Sequence, residues 1–450
     1  MSPFVDNIKN KYNKVLKNPL LLQSLLSLIA RLTGVVLNFA VILIITNQLD
    51  KSVAGDVMLL MTFITGVALI SRLGTDQLLM KEVASSHDNN LTFKYDFLKV
   101  SYNVVFMLSL VFMTIWVLVS PFLQHSFFHN GIETTVSTSE LIVASLGILF
   151  FNIVILNSTF LKATKQTVLG VLGQNALTAI TFLFFIALFW NNFSNNQYTL
   201  YLYTASLVLA GSIAAIFTFK NTLKLDTITS NNNTFTNITP KFGQVLKKAI
   251  PLAPISIISY LMIFTDTIMV GWFLANDKVA EYSVASKISY IVLFFLQAME
   301  ATIYPRLLNI CEHAKSTLNA FFWQSTALVI IVVLSVTGLM YLLSDWILAG
   351  FGEEYLAAKE ALALLLLAQL LRAASITFSF MFIIREKVKY LNIILFTALC
   401  VNIICNFVFI RLYGIEGAAF ATLIANATLL TLVLTLFYIH KLLNLKSASA

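Results

Sequence analysis

Four ionisable residues stand inside long apolar runs of this 450-residue chain: Arg31, Asp266, Lys287 and Arg372. A charge near the middle of a bilayer costs about 3 kcal/mol or more, so each must face a cavity or a partner rather than lipid. Asp266 lies in FTDTIMVGWF, Phe264 to Phe273, six residues before Trp272, and Lys287 follows Glu281 by six. At about 1.5 Å of rise per residue, both groups sit about 9 Å below one surface. Two chemistries fit that placement: an interhelical ion pair, or a carboxylate that takes a coupling cation or proton, with Lys287 as its competitor or as an anion ligand. On the same rise Arg31 and Arg372 come out about 16 and 18 Å from the opposite surface, near the midplane. No acid of matching depth stands beside them, since Glu300 reaches the interface by snorkelling. Two midplane guanidiniums therefore point to a water-filled cationic cavity. The planar fork of arginine suits a phosphate, to which it donates two parallel hydrogen bonds.

Neutral polar residues accompany the charges. Asn402 and Asn406 stand four apart, on one face of a helix. With Gln297 and Asn38 they either line the cavity or bond a neighbouring helix, as Gln369, Asn152 and Asn175 also can. His125 and His129 have metal-ligand spacing, but the pair reads as interfacial and no metal site is expected. Cys311, Cys400 and Cys405 are too few and too scattered for a disulfide framework. Arg72, Arg306 and Arg385 fall at helix ends and read as topology markers.

The elements that position these groups follow from composition. The chain is 58% hydrophobic and 11% charged, with a mean hydropathy of +0.85. Its apolar residues come in blocks of about 20, the length that crosses a hydrocarbon core as a helix. Blocks such as VLSVTGLMYLL lack the alternation of a β-barrel strand. The expectation is an all-α integral membrane protein with twelve spans: Leu20 to Thr46, Val53 to Leu73, Leu98 to Leu123, Glu140 to Leu161, Val168 to Trp190, Tyr198 to Phe219, Ile250 to Ala275, Tyr282 to Pro305, Leu318 to Leu343, Ala358 to Ile384, Tyr390 to Leu412 and Ile415 to His440. The basic stretch KNKYNKVLKNP ahead of the first span lacks a cleavage site, so that span reads as retained. Most of the 29 basic residues fall in one set of connections, whereas Lys51, Lys278, Lys359 and Arg411 fall in the other. By the positive-inside rule both termini are cytoplasmic. The net charge of +8 is then a topology signal, and no nucleic-acid partner is expected.

The polar stretch NTLKLDTITSNNNTFTNITPK, Asn221 to Lys241, divides the spans into an N-terminal six-helix lobe (1–220), a cytoplasmic linker (221–245) and a C-terminal six-helix lobe (246–450). An offset of 226 sets VAGD (Val53 to Asp56) on VAEY (Val279 to Tyr282), each at the start of an even-numbered span. Parallel repeats of this kind put the substrate path between the halves. The outside connections are too short to build a catalytic pocket, so no enzyme is expected.

Several stretches carry a resemblance to a known family: TDTIMVGWF, VAEYSVASKISYIVLFFLQAMEATIYPRL, EEYLAAKEALALLLLAQLLRAA, NIICNFVFIRLYGIEGAAFATLIANA and the earlier RLGTDQLLMKEVA. Together they resemble the polysaccharide flippases of the Wzx type, which are similar in fold to the multidrug and toxin extrusion (MATE) transporters. The resemblance is strongest in YGIEGAAFAT, where small residues after a tight turn let helices approach closely. It implies a two-lobed, MATE-like transporter of the bacterial inner membrane that works by alternating access. The implied cargo is an undecaprenyl-diphosphate-linked oligosaccharide, with its sugars in the central cavity and its lipid tail in the bilayer. Membrane lipids, a polysaccharide polymerase and a chain-length regulator are the implied partners. No bound cofactor is expected, and a proton or sodium gradient is the expected drive. By their depth and sign rather than by a family motif, Arg31, Arg372 and Lys287 are the candidates to hold the diphosphate, and Asp266 is the candidate to couple the ion. The competing readings are a cation-coupled drug exporter, which needs more cavity acids than Asp266, and a membrane oligosaccharide polymerase.

Overall fold

The computed structural model describes residues 19–86, 91–130, 133–134, 136–194, 198–229, 241–313, 315–440 and 442–443. The N-terminal basic stretch, much of the expected linker and the extreme C-terminus lie outside the described residues. The elements run α1 (Pro19–Gln48), α2 (Lys51–Arg72), α3 (Thr75–Ser85), α4 (Leu91–Phe127), a short hairpin of β1 (His129–Asn130) and β2 (Glu133–Thr134), α5 (Thr138–Ala144), α6 (Leu146–Ala163), α7 (Thr167–Asn175), α8 (Leu177–Leu188), α9 (Trp190–Ser194), α10 (Thr199–Thr229), α11 (Phe242–Ala249), α12 (Ala253–Phe273), α13 (Asn276–Ser289), α14 (Ile291–His313), α15 (Leu318–Leu342), α16 (Ser344–Ala349), α17 (Lys359–Ile384) and α18 (Val388–Ile439).

Among the described residues ten helices are long and apolar enough to cross a membrane, and the bent pair α7 and α8 adds an eleventh. The 52-residue α18 contains non-helical Gly414. Divided there, the helices supply the twelve crossings expected. The fifth span bends by 46° because Asn175 is engaged elsewhere: its side chain donates to Val171 O at 3.1 Å, and its carbonyl accepts from Asn38 Nδ2 at 2.7 Å. The eighth span divides at Tyr290, between α13 and α14. The start of α5 is set by a capping box, in which Ser137 N donates to Glu140 Oε2 at 2.8 Å and Glu140 N to Ser137 Oγ at 3.3 Å.

The chain forms two compact units. The first holds residues 1–49, 63–125 and 136–257. Here the apolar side of α3, Leu78, Leu79 and Val83, packs with Phe97, Leu98, Phe160, Val245 and Ala249. Gly74 has φ +77, and a Cβ there would meet the backbone of Ala249 and Ala253, so the turn into α3 and its close approach both require glycine. Arg72 is a correction to its reading as a topology marker. It is buried, donates from Nη1 to Asn152 Oδ1 at 2.7 Å, and lies 3.5 Å from Asp76 through Nε. Asn152 in turn donates to Ser71 Oγ at 2.7 Å and Ser109 Oγ at 2.9 Å.

The second unit holds residues 50–62, 126–135 and 258–450. Phe322, Phe378 and Phe437 form its aromatic centre, with Phe378 edge-on to Phe437 at 4.9 Å. The two stretches that align in the repeat comparison meet in this unit. Buried Glu281 accepts from Lys51 Nζ at 2.6 Å and Lys278 Nζ at 2.8 Å, and Asn276 donates to Asp56. Trp272 stacks edge-on against Phe127 at 4.9 Å.

Candidate functional site

Asp266, on α12, is 4% exposed. Its Oδ1 accepts from Asn402 Nδ2 at 2.9 Å and Asn406 Nδ2 at 2.6 Å, and its Oδ2 from the Tyr282 hydroxyl at 3.0 Å and from Thr422 Oγ1. Four donors satisfy the four acceptor sites of a carboxylate, and every donor is neutral. The one-face spacing of Asn402 and Asn406 is what lets both amides reach one oxygen.

The reach of Thr422 depends on the break at Gly414. Asn402 and Thr422 are twenty residues apart, about 30 Å along a straight helix, yet both bond the same carboxylate. Gly414, at φ 62 and ψ −134, reverses α18 between them. The returning half packs tightly, since a Cβ on Gly417 would collide with the carbonyl of Phe409. This is the physical content of YGIEGAAFAT: glycine at the turn, then small residues where the chain passes itself.

Asp266 opens on a small cavity that Gln369, Arg372, Tyr290, Asn402, Thr422 and Asn426 also line. About 20 Å³ admits the centre of a water-sized sphere, which is room for one or two waters or a small ion and none for a sugar. The lining is rich in open acceptors. Asn402 Oδ1, Asn426 Oδ1 and Gln369 Oε1 are buried without a hydrogen-bond partner among the described residues, as is Oδ1 of Asn406 beside the cavity. Because Asn402 and Asn406 turn their NH2 groups to a carboxylate, their oxygens are fixed facing away from it.

The remaining expected site residues fall in different places. Lys287 does not pair with Asp266, and among the described residues it has no ion pair or hydrogen bond. It follows Tyr282 by five positions on α13, about 140° around the helix, so the face that bonds Asp266 through Tyr282 is not the face of Lys287. Arg372 shares the Asp266 cavity. Glu300 acts electrostatically on Arg372, but no ion pair joins them among the described residues. Arg31 lies in the first unit, exposed on α1, where it acts electrostatically on Lys162. Asn38 donates to Gly34 O at 2.8 Å and Asn175 O at 2.7 Å, joining α1 to α7. Gln297 is exposed and is not among the residues lining the cavity. His125 is exposed; the side chain of His129 lies outside the described part. Sequence reading missed Tyr282, Thr422 and Asn426. The signal available was the four-residue spacing of Thr422 and Asn426, the same as that of Asn402 and Asn406.

A family model described as "Polysaccharide biosynthesis protein" matches residues 20–311. The chain belongs to the polysaccharide biosynthesis protein family. The family match takes in Asp266 and Lys287, whereas Arg372, Asn402, Asn406 and Thr422 lie beyond it. A relative from Haloferax volcanii, "Probable low-salt glycan biosynthesis flippase Agl15", is 25% identical over 199 residues. That stretch is 42% of this chain and 40% of the relative, so the match spans well under half of either protein. Among solved structures, a lipid II flippase MurJ in an inward closed conformation matches with a TM-score of 0.66 at 15% identity, covering 94% of this chain and 89% of that one. An inward-facing multidrug resistance MATE family transporter of the MOP superfamily matches equally well, with a TM-score of 0.66 at 15% identity, covering 94% and 100%. At such identities the likeness fixes the fold, which is the all-helical MATE-like membrane architecture expected. The family, the fold and the many apolar helices make the chain a multi-pass membrane protein of the polysaccharide biosynthesis family.

Proposed function

We propose that this protein flips an undecaprenyl-diphosphate-linked oligosaccharide, the repeat unit of an O-antigen, capsule or exopolysaccharide, from the cytoplasmic to the periplasmic leaflet of a bacterial inner membrane. Both termini are cytoplasmic in this reading, and a polysaccharide polymerase and chain-length regulator receive the flipped unit. Arg31 and Arg372 serve the anionic diphosphate. Asp266 holds a coupling cation, and sodium is our assignment.

The observation that carries the reading is the Asp266 carboxylate, held inside a membrane helix bundle by neutral groups that can change sides. Rotation of the amide about its last side-chain torsion, which is broad and roughly two-fold, exchanges the NH2 of Asn402 or Asn406 for its oxygen. Thr422 Oγ1 donates in one state and accepts in the other. A donor shell for the bare carboxylate thus becomes an oxygen shell for a carboxylate with a cation. A proton on Asp266 supplies one donor, which a single turned amide oxygen satisfies, whereas sodium takes up the carboxylate and several amide oxygens together. One carboxylate balances one positive charge, which favours a monovalent ion.

Reconstituted vesicles carrying a fluorescent undecaprenyl-diphosphate disaccharide test this. The label should appear in the far leaflet at a rate that rises with an imposed sodium gradient, and Asp266→Asn should remove that dependence. Transport that follows a pH gradient alone would replace sodium by the proton. Export of a cationic dye with no movement of the lipid-linked sugar would overturn the flippase reading in favour of a drug exporter.

A further inference from the structure

We infer that Arg372 is a tethered counter-ion for the Asp266 cavity: its guanidinium and the coupling cation exclude each other there, and an anionic cargo that draws Arg372 away opens the cavity to the cation. This rests on the cation reading of Asp266 above. It begins from a mismatch within one cavity. Gln369 Oε1, Asn402 Oδ1 and Asn426 Oδ1 line it as acceptors without partners among the described residues. Arg372 lines it as well, and its guanidinium carries five N–H donors and no hydrogen bond or ion pair among the described residues. Donors and acceptors that would satisfy one another lie around one space and stay apart.

Two occupants can resolve the mismatch. The guanidinium can turn in, donating to the amide oxygens and setting its charge beside Asp266. Alternatively a small cation can enter and take the same oxygens. The space admits the centre of a water-sized sphere in only about 20 Å³, so a guanidinium and an ion do not share it. One carboxylate also supports one buried positive charge and not two. Gln369 precedes Arg372 by three residues on α17 and so lies on the same face of the helix; the inward position is therefore built into that face. Glu300 also acts electrostatically on Arg372, and it is not among the residues lining the cavity. Glu300 is half-buried and makes no ion pair with Arg372 among the described residues, so its attraction leaves the guanidinium free to turn in.

The consequence is a linkage between two ligands of opposite sign. A diphosphate that pairs with Arg372 holds it out of the cavity and strengthens cation binding. By reciprocity, a bound cation frees Arg372 for the diphosphate by the same factor. Lys287, which the sequence suggests as the competitor, lacks a place in this cavity.

The test measures sodium binding to the full-length protein in nanodiscs, with farnesyl diphosphate as a sugar-free diphosphate probe. In the wild type the probe should tighten sodium binding about tenfold, within the usual range of coupling between two sites. Arg372→Gln should bind sodium about tenfold more tightly without the probe and no longer respond to it. Arg372→Lys, which keeps the charge and loses the fork, should retain the weaker sodium binding and respond less to the probe. If Arg372→Gln binds sodium as the wild type does while Asp266→Asn has lost binding, the tethered counter-ion is wrong and the cation site stands. If Asp266→Asn also binds sodium as the wild type does, both readings fall. Should Arg372→Gln not fold, the wild-type arm decides, because a probe that leaves sodium affinity unchanged overturns the linkage.

Discussion

Arg72 in the first unit and Asp266 in the second are both charges buried among membrane-spanning helices and held largely by neutral amides, and they differ in what the amides have left over. Asn152 is fully used at Arg72: its oxygen accepts from the guanidinium while its NH2 donates to Ser71 and Ser109. Around Asp266, Asn402 and Asn406 spend their NH2 groups on the carboxylate and leave both oxygens open. An amide with every group used fixes structure, whereas amides with acceptors to spare beside an acid have the chemistry to take a cation.

Five substitutions break or sharpen this contrast. Arg72→Ala should cost about 3 kcal/mol of stability, because Asn152 and Asp76 are left buried or half-buried without their cation; thermal unfolding in detergent reads it, and transport per folded molecule should be kept. A wild-type melting temperature would remove the distinction. Asp266→Asn should lower sodium affinity by about a hundredfold and leave stability equal or higher, since a buried charge has gone; a binding isotherm and a melt on the same sample check both parts. The matched pair Asn152→Ala and Asn402→Ala tests the amides directly. The first should cost about 1 to 3 kcal/mol with sodium binding intact, and the second should weaken sodium binding about tenfold. Equal sodium affinities in the two would mean that the open oxygens are not ligands. The smallest effect is expected at Glu281→Gln, about 1 kcal/mol, seen as a melting shift of a few degrees with sodium binding unchanged.

The same contrast shows where sequence reading reaches its limit. Arg72 lies at the end of its span, and end position alone made it look like a topology marker. Only the packed neighbours reveal that Asn152 and Asp76 enclose it. Arg372 and Asp266 were legible as unusual charges in apolar runs, but their common cavity was not, because α12 and α17 are far apart in the chain.

What the sequence by itself determined is the set of helices, because a bilayer demands about 20 apolar residues per crossing, and the shared face of Asn402 and Asn406, because 3.6 residues make a turn. It also singled out Asp266 as an acid inside an apolar run, with an ion pair or a coupling cation as its two readings. The tertiary structure alone decided who meets that acid. Rotation of α13 brings Tyr282 to it and turns Lys287 away, and the reversal of α18 at Gly414 returns Thr422 and Asn426 to the level of Asn402. Periodicity fixes which residues share a face, but the direction in which that face points is set by packing against helices distant in the chain.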